Sequence, residues 1–149
     1  MIQRRVISVG SLISGLVAFY LHLWKYGKVG ALACGSGPRG CEYVQNSAYG
    51  TFMGTDVALI GTWGYAAIFL VATIGGLERF QNEKWPTYVL MALIWPAVLF
   101  TLRLKYYEFI VLDGFCKWCM VSAVTITLCA VMVTLDYRRL RGHKERGVL

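Results

Sequence analysis

Residues 113–136 read DGFCKWCMVSAVTITLCAVMVTLD. The stretch opens on two cysteines, Cys116 and Cys119, and runs from Trp118 to Leu135 without an Asp, Glu, Lys or Arg. A bilayer core of ~30 Å takes about 20 helical residues, with a range of ~17–25. Outward from this stretch the chain holds three more such runs: Val6–Trp24, Val57–Leu77 and Trp85–Leu102. Lipid solvates no backbone group, so a span must close its hydrogen bonds within itself, as a helix. Buried helices of a soluble bundle would each show a polar face at the helical period, and none of the four does.

Composition agrees. The 149 residues are 57% apolar and 15% charged. A soluble domain is roughly 45–50% apolar, counting Gly, and about 25% charged. The sequence therefore predicts an all-α integral membrane protein, a four-transmembrane-helix bundle in a single domain over 1–149. The helices are expected at about 6–26, 57–77, 85–110 and 115–136. An external loop or lid over 27–56 joins the first two, and a basic cytoplasmic tail occupies 137–149. The first span is longer than the ~7–15 apolar residues of a signal-peptide core. His22, Lys25 and Lys28 also separate it from Ala31-Leu32-Ala33-Cys34, so it is read as a retained helix. Pro96 falls inside the third span and predicts a kink there.

Four spans put both chain ends on one side. Arg4, Arg5, Arg79, Lys84, Arg138, Arg139, Arg141, Lys144 and Arg146 lie on that side. Lys25, Lys28, Arg39, Arg103, Lys105 and Lys117 lie on the other. The excess of basic residues places both termini in the cytoplasm. The run Arg138–Arg146 is read as a topology anchor on membrane lipid, and no nucleic-acid partner is expected. Arg103, Lys105 and Glu108 are read as groups that snorkel or pair at the interface.

Four of the five cysteines fall in pairs. Cys34 and Cys41 form C-x6-C in the external loop, and Cys116 and Cys119 form C-x-x-C where the fourth helix begins. Cys129 lies deeper in that helix and is read as packing. The first turn of a helix leaves N–H groups free and favours negative charge. A cysteine there has its thiol pKa lowered. Asp113 is the expected N-cap, and Lys117 the expected nearby cation. Positions three apart share a face, so the C-x-x-C pair can cycle between dithiol and disulfide. Three readings compete: a redox relay, zinc held by four cysteines, and two static disulfides. Structural zinc sites favour ~C-x2–4-C spacing in both halves, and a static bridge makes little sense at the lip of a membrane helix, so the relay is preferred. No metal is expected. A relay needs an electron acceptor, and the chain has neither a dinucleotide glycine motif nor a convincing haem ligand set. A small apolar acceptor already in the membrane, a quinone, fits by elimination.

The ordered combination of Cys34, Cys41-Glu42-Tyr43-Val44-x-x-Ser47-x-Tyr49, Gly61-x-x-Gly64-Tyr65 and Phe115-Cys116-Lys117-Trp118-Cys119 resembles the vitamin K epoxide reductase family. The resemblance covers roughly residues 6–136, and is to its bacterial single-domain type without a fused thioredoxin domain. Quinone-linked disulfide generators of the DsbB type carry their C-x-x-C in the first external loop, the reverse of the order here. The resemblance implies that Cys119 lies against the quinone, that Cys116 exchanges with Cys41, and that Cys34 meets an external thiol partner. It implies a quinone pocket formed by Ser47, Tyr49, Ile60, Gly64, Tyr65 and Ala123. Animal members have an asparagine and a tyrosine where this chain has Val57 and Ala123, neither of which can hydrogen-bond a quinone oxygen through its side chain. That departure implies quinone reduction rather than epoxide reduction.

The expected function is quinone-dependent thiol oxidation that generates disulfides. Electrons would pass from a separate periplasmic thioredoxin-fold (DsbA-like) protein, through Cys34/Cys41 and Cys116/Cys119, to ubiquinone or menaquinone. The expected location is the bacterial inner (cytoplasmic) membrane, with the active site on the periplasmic side. A eukaryotic-type vitamin K quinone or epoxide reductase is the alternative within the class. A non-catalytic membrane scaffold with static disulfides or bound zinc is the alternative outside it.

Overall fold

The computed structural model describes residues 2–30 and 40–146. Four long helices dominate it: α1 (Ile2–Lys25), α3 (Val57–Gly75), α4 (Trp85–Tyr106) and α5 (Lys117–Arg146). Between α1 and α3 lie a short helix α2 (Cys41–Asn46) and a two-stranded antiparallel hairpin, β1 (Thr51–Phe52) and β2 (Thr55–Asp56), with Thr51 opposite Asp56. All four long helices are long and apolar enough to cross a membrane. They pack as a closed ring, α1 on α3, α3 on α4, α4 on α5 and α5 on α1. Ile7, Ile68, Leu90, Ile94, Ile126 and Val133 fill the centre. Leu16, Leu70, Leu99 and Val124 stand exposed on the outside. Apolar residues on both the inner and outer faces are the pattern of helices solvated by lipid.

Two helices differ in extent from the sequence expectation. α1 begins at Ile2, and α5 continues through the basic stretch read as a tail, to Arg146. Leu, Arg and Lys are good helix formers, and no proline stops that stretch.

The reason for the early start of α1 is Arg4, which is buried. Its Nε donates to Asp136 Oδ2 of α5 at 2.9 Å. Nη1 donates to the carbonyls of Gly75 and Phe80, and Nη2 to the Glu83 carbonyl and the Thr87 hydroxyl. Thr87 in turn donates to Asp136 at 2.7 Å. A guanidinium has five N–H donors in a fixed fork and no acceptor, and here one fork ties all four long helices together. Gly75 permits this closure. A Cβ at Gly75 would lie 2.7 Å from Pro86 Cβ, so the end of α3 meets the start of α4 nearly backbone to backbone.

At the opposite end Asp56 caps α3, its Oδ1 accepting from the Ala58 N–H at 3.4 Å. The same carboxylate pairs with His22 Nδ1 at 2.8 Å and Lys25 Nζ at 3.1 Å. The last turn of α1 is thereby fastened to the first turn of α3. The hairpin turns through Met53 (φ 51°) and Gly54 (φ 80°), the left-handed pair that a two-residue turn requires.

Candidate active site

The C-x-x-C pair sits at the start of α5. Cys116 immediately precedes the helix and is 0% exposed; Cys119 is one turn in, and half-buried. Both are free thiols. The Cys119 backbone N–H donates to Cys116 Sγ at 3.2 Å. The hydrogen bond from the Cys119 side chain, then this backbone N–H, hold the Cys116 thiol below its ordinary range, against the opposing effect of burial. Cys116 is therefore the member of the pair built to carry negative charge.

The expected helpers are replaced by others. Asp113 adopts a left-handed backbone (φ 46°) ahead of the helix, and the Cys116 N–H donates instead to Glu108 Oε1 at 2.7 Å. Lys117 is exposed. The cation that favours the Cys116 thiolate is Lys105, whose Nζ donates to Glu108 Oε2 at 2.7 Å. Glu108 reaches this place because α4 runs on into a π-helical turn, Tyr107–Val111, in which the Leu112 N–H bonds back to the Tyr107 carbonyl. Lys105 and Glu108 do pair, but beside the cysteines, with Glu108 buried and Lys105 half-buried, and the cue in the sequence is a lone acid near the end of an apolar span.

The external segment folds over this end. α2 opens at Cys41, which is buried and disulfide-bonded. Cys34 lies outside the described residues. Cys41, Cys116, Leu21 and Ala58 form one buried cluster, with Trp118 and Cys119 against it. Gln45, one turn on from Cys41 and on the same face, donates through Nε2 to Cys119 Sγ at 3.6 Å. Gly50 lies so close to the Gln45 carbonyl that a Cβ there would collide with it. Tyr49 stacks on Tyr107 (4.3 Å, 16°), and Phe52 meets Phe100 edge-on at 5.5 Å. Arg103 lies over both Phe52 and Tyr107. Aromatic contacts of this kind add about 0.5–1.5 kcal/mol each, and they clamp the lid to α4.

Beneath the lid lies a cavity of about 440 Å³, with Cys119 in its wall. Drug-sized ligands occupy clefts of ≈ 300–1,000 Å³ with mostly apolar walls. Of the expected pocket residues, Tyr49, Ile60, Gly64 and Tyr65 line this cavity. Ser47 and Ala123 do not. The Ser47 hydroxyl turns back to the Val44 carbonyl at 2.7 Å, where it closes α2. Ala123 lies one turn beyond Cys119 on α5, outside the wall. Val57 lines the cavity and offers it only methyl groups. The polar points come from residues that the sequence did not single out for the pocket. Gln45, Trp118, Ser122, Lys105 and Glu108 all line it. Trp118 Nε1 is buried with no hydrogen-bond partner among the described residues. Tyr65 already bonds to Ser122, at 2.7 Å between hydroxyls.

A dithiol at a helix start, a disulfide-bonded cysteine in the same buried cluster and an apolar chamber with Cys119 in its wall are thus brought together, an arrangement suited to thiol–disulfide exchange beside an apolar ligand. The profile of the Vitamin K epoxide reductase family matches residues 5–134, most of the chain. The chain belongs to the vitamin K epoxide reductase family, whose members are membrane-embedded, quinone-linked thiol oxidoreductases.

Proposed function

We propose that this protein is the disulfide-generating member of that class. It oxidises a thioredoxin-fold (DsbA-like) protein outside the cytoplasmic membrane of a bacterium and passes the electrons to ubiquinone or menaquinone. The observation that carries the reading is the free thiol of Cys119 in the wall of an apolar cavity of about 440 Å³. Cys116 and the disulfide-bonded Cys41 lie in the cluster beside it.

The partner's thiolate attacks the loop disulfide at Cys34. Cys41, released, attacks Cys116 in the oxidised Cys116–Cys119 bridge, and Cys119 leaves as thiolate. The partner's second thiolate attacks its own sulfur in the bond to Cys34, so that the partner leaves with a disulfide and Cys34 is freed. Cys34 then attacks Cys41 in the Cys41–Cys116 disulfide, the loop disulfide re-forms, and Cys116 leaves as thiolate. A leaving thiol with a lowered pKa departs faster, and this is the service of the hydrogen bonds that Cys119 donates to Cys116 Sγ. A quinone bound in the cavity supplies a two-electron acceptor. Phe100, Ile126 and Leu21 line the cavity and would hold such a ring, and the Trp118 indole N–H and the Gln45 carboxamide would donate to its oxygens. These two donors would stand in for the side-chain groups that Val57 and Ala123 lack. The excess of basic residues on the side of the chain ends supports cytoplasmic termini, which leaves the cysteines on the oxidising side.

The test is quinone reduction by purified protein with a dithiol donor, wild type beside Cys119→Ser. Turnover in wild type and none in the variant is expected. Equal turnover in both sinks the assignment. For orientation, a thiol reagent that cannot cross membranes should label Cys34 from outside after reduction, and labelling only from the cytoplasm inverts the topology.

A further inference from the structure

Disulfide closure at Cys116–Cys119 breaks two S–H bonds and forms one S–S bond. Two electrons and two protons leave the pair. Cys119 opens onto the cavity, but Cys116 is 0% exposed and does not line it. Its proton has no direct path to water and must leave through a protein group.

Glu108 is placed for this. Its carboxylate is buried (3% exposed), accepts the Cys116 backbone N–H at 2.7 Å, and also lines the cavity. The titratable side chains lining that cavity among the described residues are Tyr49, Tyr65, Lys105, Tyr107, Glu108 and Cys119. Glu108 is the one carboxylate among them. Tyr65 is committed to Ser122, and Tyr49 and Tyr107 are stacked on each other. Lys105 donates to Glu108 at 2.7 Å and pairs the carboxylate. Each carboxylate oxygen has more than one lone pair, so the bonds to Lys105 and to the Cys116 amide leave room for a proton. A carboxylate in a membrane helix is expensive. Keeping one here requires both the π-helical turn that aims it and the lysine that pairs it.

We infer that Glu108 is the proton acceptor for Cys116 during closure of the Cys116–Cys119 disulfide. The Cys116 S–H bond breaks, its proton goes to the Glu108 carboxylate, and its electron pair forms the bond to Cys119 sulfur. The Cys119 S–H bond also breaks, and the electron pair and proton that Cys119 gives up go to the two-electron oxidant. Glu108 lines the cavity and releases its proton there, so that two protons leave with the two electrons. The inference rests on the proposed function in one respect, that Cys116 and Cys119 are the pair oxidised in turnover.

The test needs no quinone. Protein carrying Cys34→Ser, Cys41→Ser and Cys129→Ala has Cys116 and Cys119 as its only thiols. Two quantities are read: the pH titration of thiolate absorbance in the reduced form, and the rate of disulfide closure by diamide, a small azo oxidant. Closure is run below the pH at which Cys116 titrates, where a proton must be removed in the reaction. Glu108→Gln keeps an acceptor for the Cys116 N–H and removes the base. It also leaves Lys105 to act alone on Cys116, so thiolate forms at lower pH than in the parent. Electrostatics alone therefore predicts closure at least as fast. A proton acceptor predicts closure slower by about 100-fold, the lower range for general base catalysis, with partial recovery in Glu108→Asp. Closure at the parent rate or faster overturns the inference. A measurement without a change at Glu108 guards against misfolding: closure in the parent should slow in heavy water, and an equal rate in both solvents also overturns it. Absence of quinone turnover in wild type would count against the proposed function and leave these two readouts standing.

Discussion

The backbone N–H of Cys119 points at the sulfur of Cys116, 3.2 Å away. The two cysteines are therefore unequal before any substrate arrives. One accepts hydrogen bonds from the other, so when the pair loses its first proton the charge is favoured on the acceptor.

The first consequence is a pH dependence. Above its lowered pKa Cys116 is thiolate, and as pH falls through that value it takes up a proton and loses its advantage as a leaving group. Exchange between the loop cysteines and Cys116 should therefore persist to lower pH than for an ordinary thiol. Cys119→Ala removes the side-chain donor, the largest of the lowering causes. It should move the Cys116 titration up toward the ordinary thiol range, read by thiolate absorbance in a form without other thiols. An unmoved titration would show that the backbone amide alone sets it.

Trp118→Phe removes a buried N–H that has no partner among the described residues. If that N–H holds a quinone oxygen, the variant loses about 1–2 kcal/mol of binding. That is roughly a tenfold rise or more in KM for quinone, with kcat nearly kept. Gln45→Leu should act the same way and also release Cys119 from its hydrogen bond. Steady-state kinetics over a quinone concentration series checks both, and an unchanged KM in Trp118→Phe rejects the indole as a ligand.

Two glycines should respond in opposite ways. Gly75→Ala puts a methyl 2.7 Å from the Pro86 ring, and overpacking of that kind destabilises by about 1–3 kcal/mol. A Cβ at Gly64 meets nothing within 4 Å, so Gly64→Ala should keep its thermal midpoint. Because Gly64 lines the cavity, that methyl takes space from the ligand. Thermal unfolding in detergent and quinone KM separate the two effects.

Breaking the Arg4–Asp136 pair should be among the most damaging single changes. Asp136→Asn leaves a buried guanidinium without its counter-ion, which costs about 3–5 kcal/mol. The double change Arg4→Met with Asp136→Leu should be milder than the sum of its parts, since neither charge is then stranded. Unfolding in detergent for Arg4→Met, Asp136→Leu and the double completes the cycle.

The four spans were legible because membrane helices announce themselves by length and by what they exclude. The C-x-x-C and C-x6-C pairs were legible as spacing. What stayed hidden depends on contacts far apart in the chain or on small departures from ideal helix. Glu108 reads as interfacial in the sequence because a regular helix does not reveal the π-helical turn that carries it under Cys116. Lys117 is the cation adjacent in sequence, whereas Lys105 is the one adjacent in space. Arg4 reads as one of the charges marking one side of the membrane, although it is buried against a residue 132 positions away. Ser47 matched a motif, and the hydroxyl is spent on its own helix. Gln45 carried no motif at all, and only the fold of α2 brings it to Cys119.

That distance between Arg4 and Asp136 also sets an order of events in the cell. Arg4 is made near the start of synthesis and its carboxylate near the end, so during translation the first helix enters the bilayer holding an unmatched cation. The helix can lodge with that cation at the headgroups, but it cannot take its final depth until the last helix has been inserted. The network can close only when the first and the last helix are both in place.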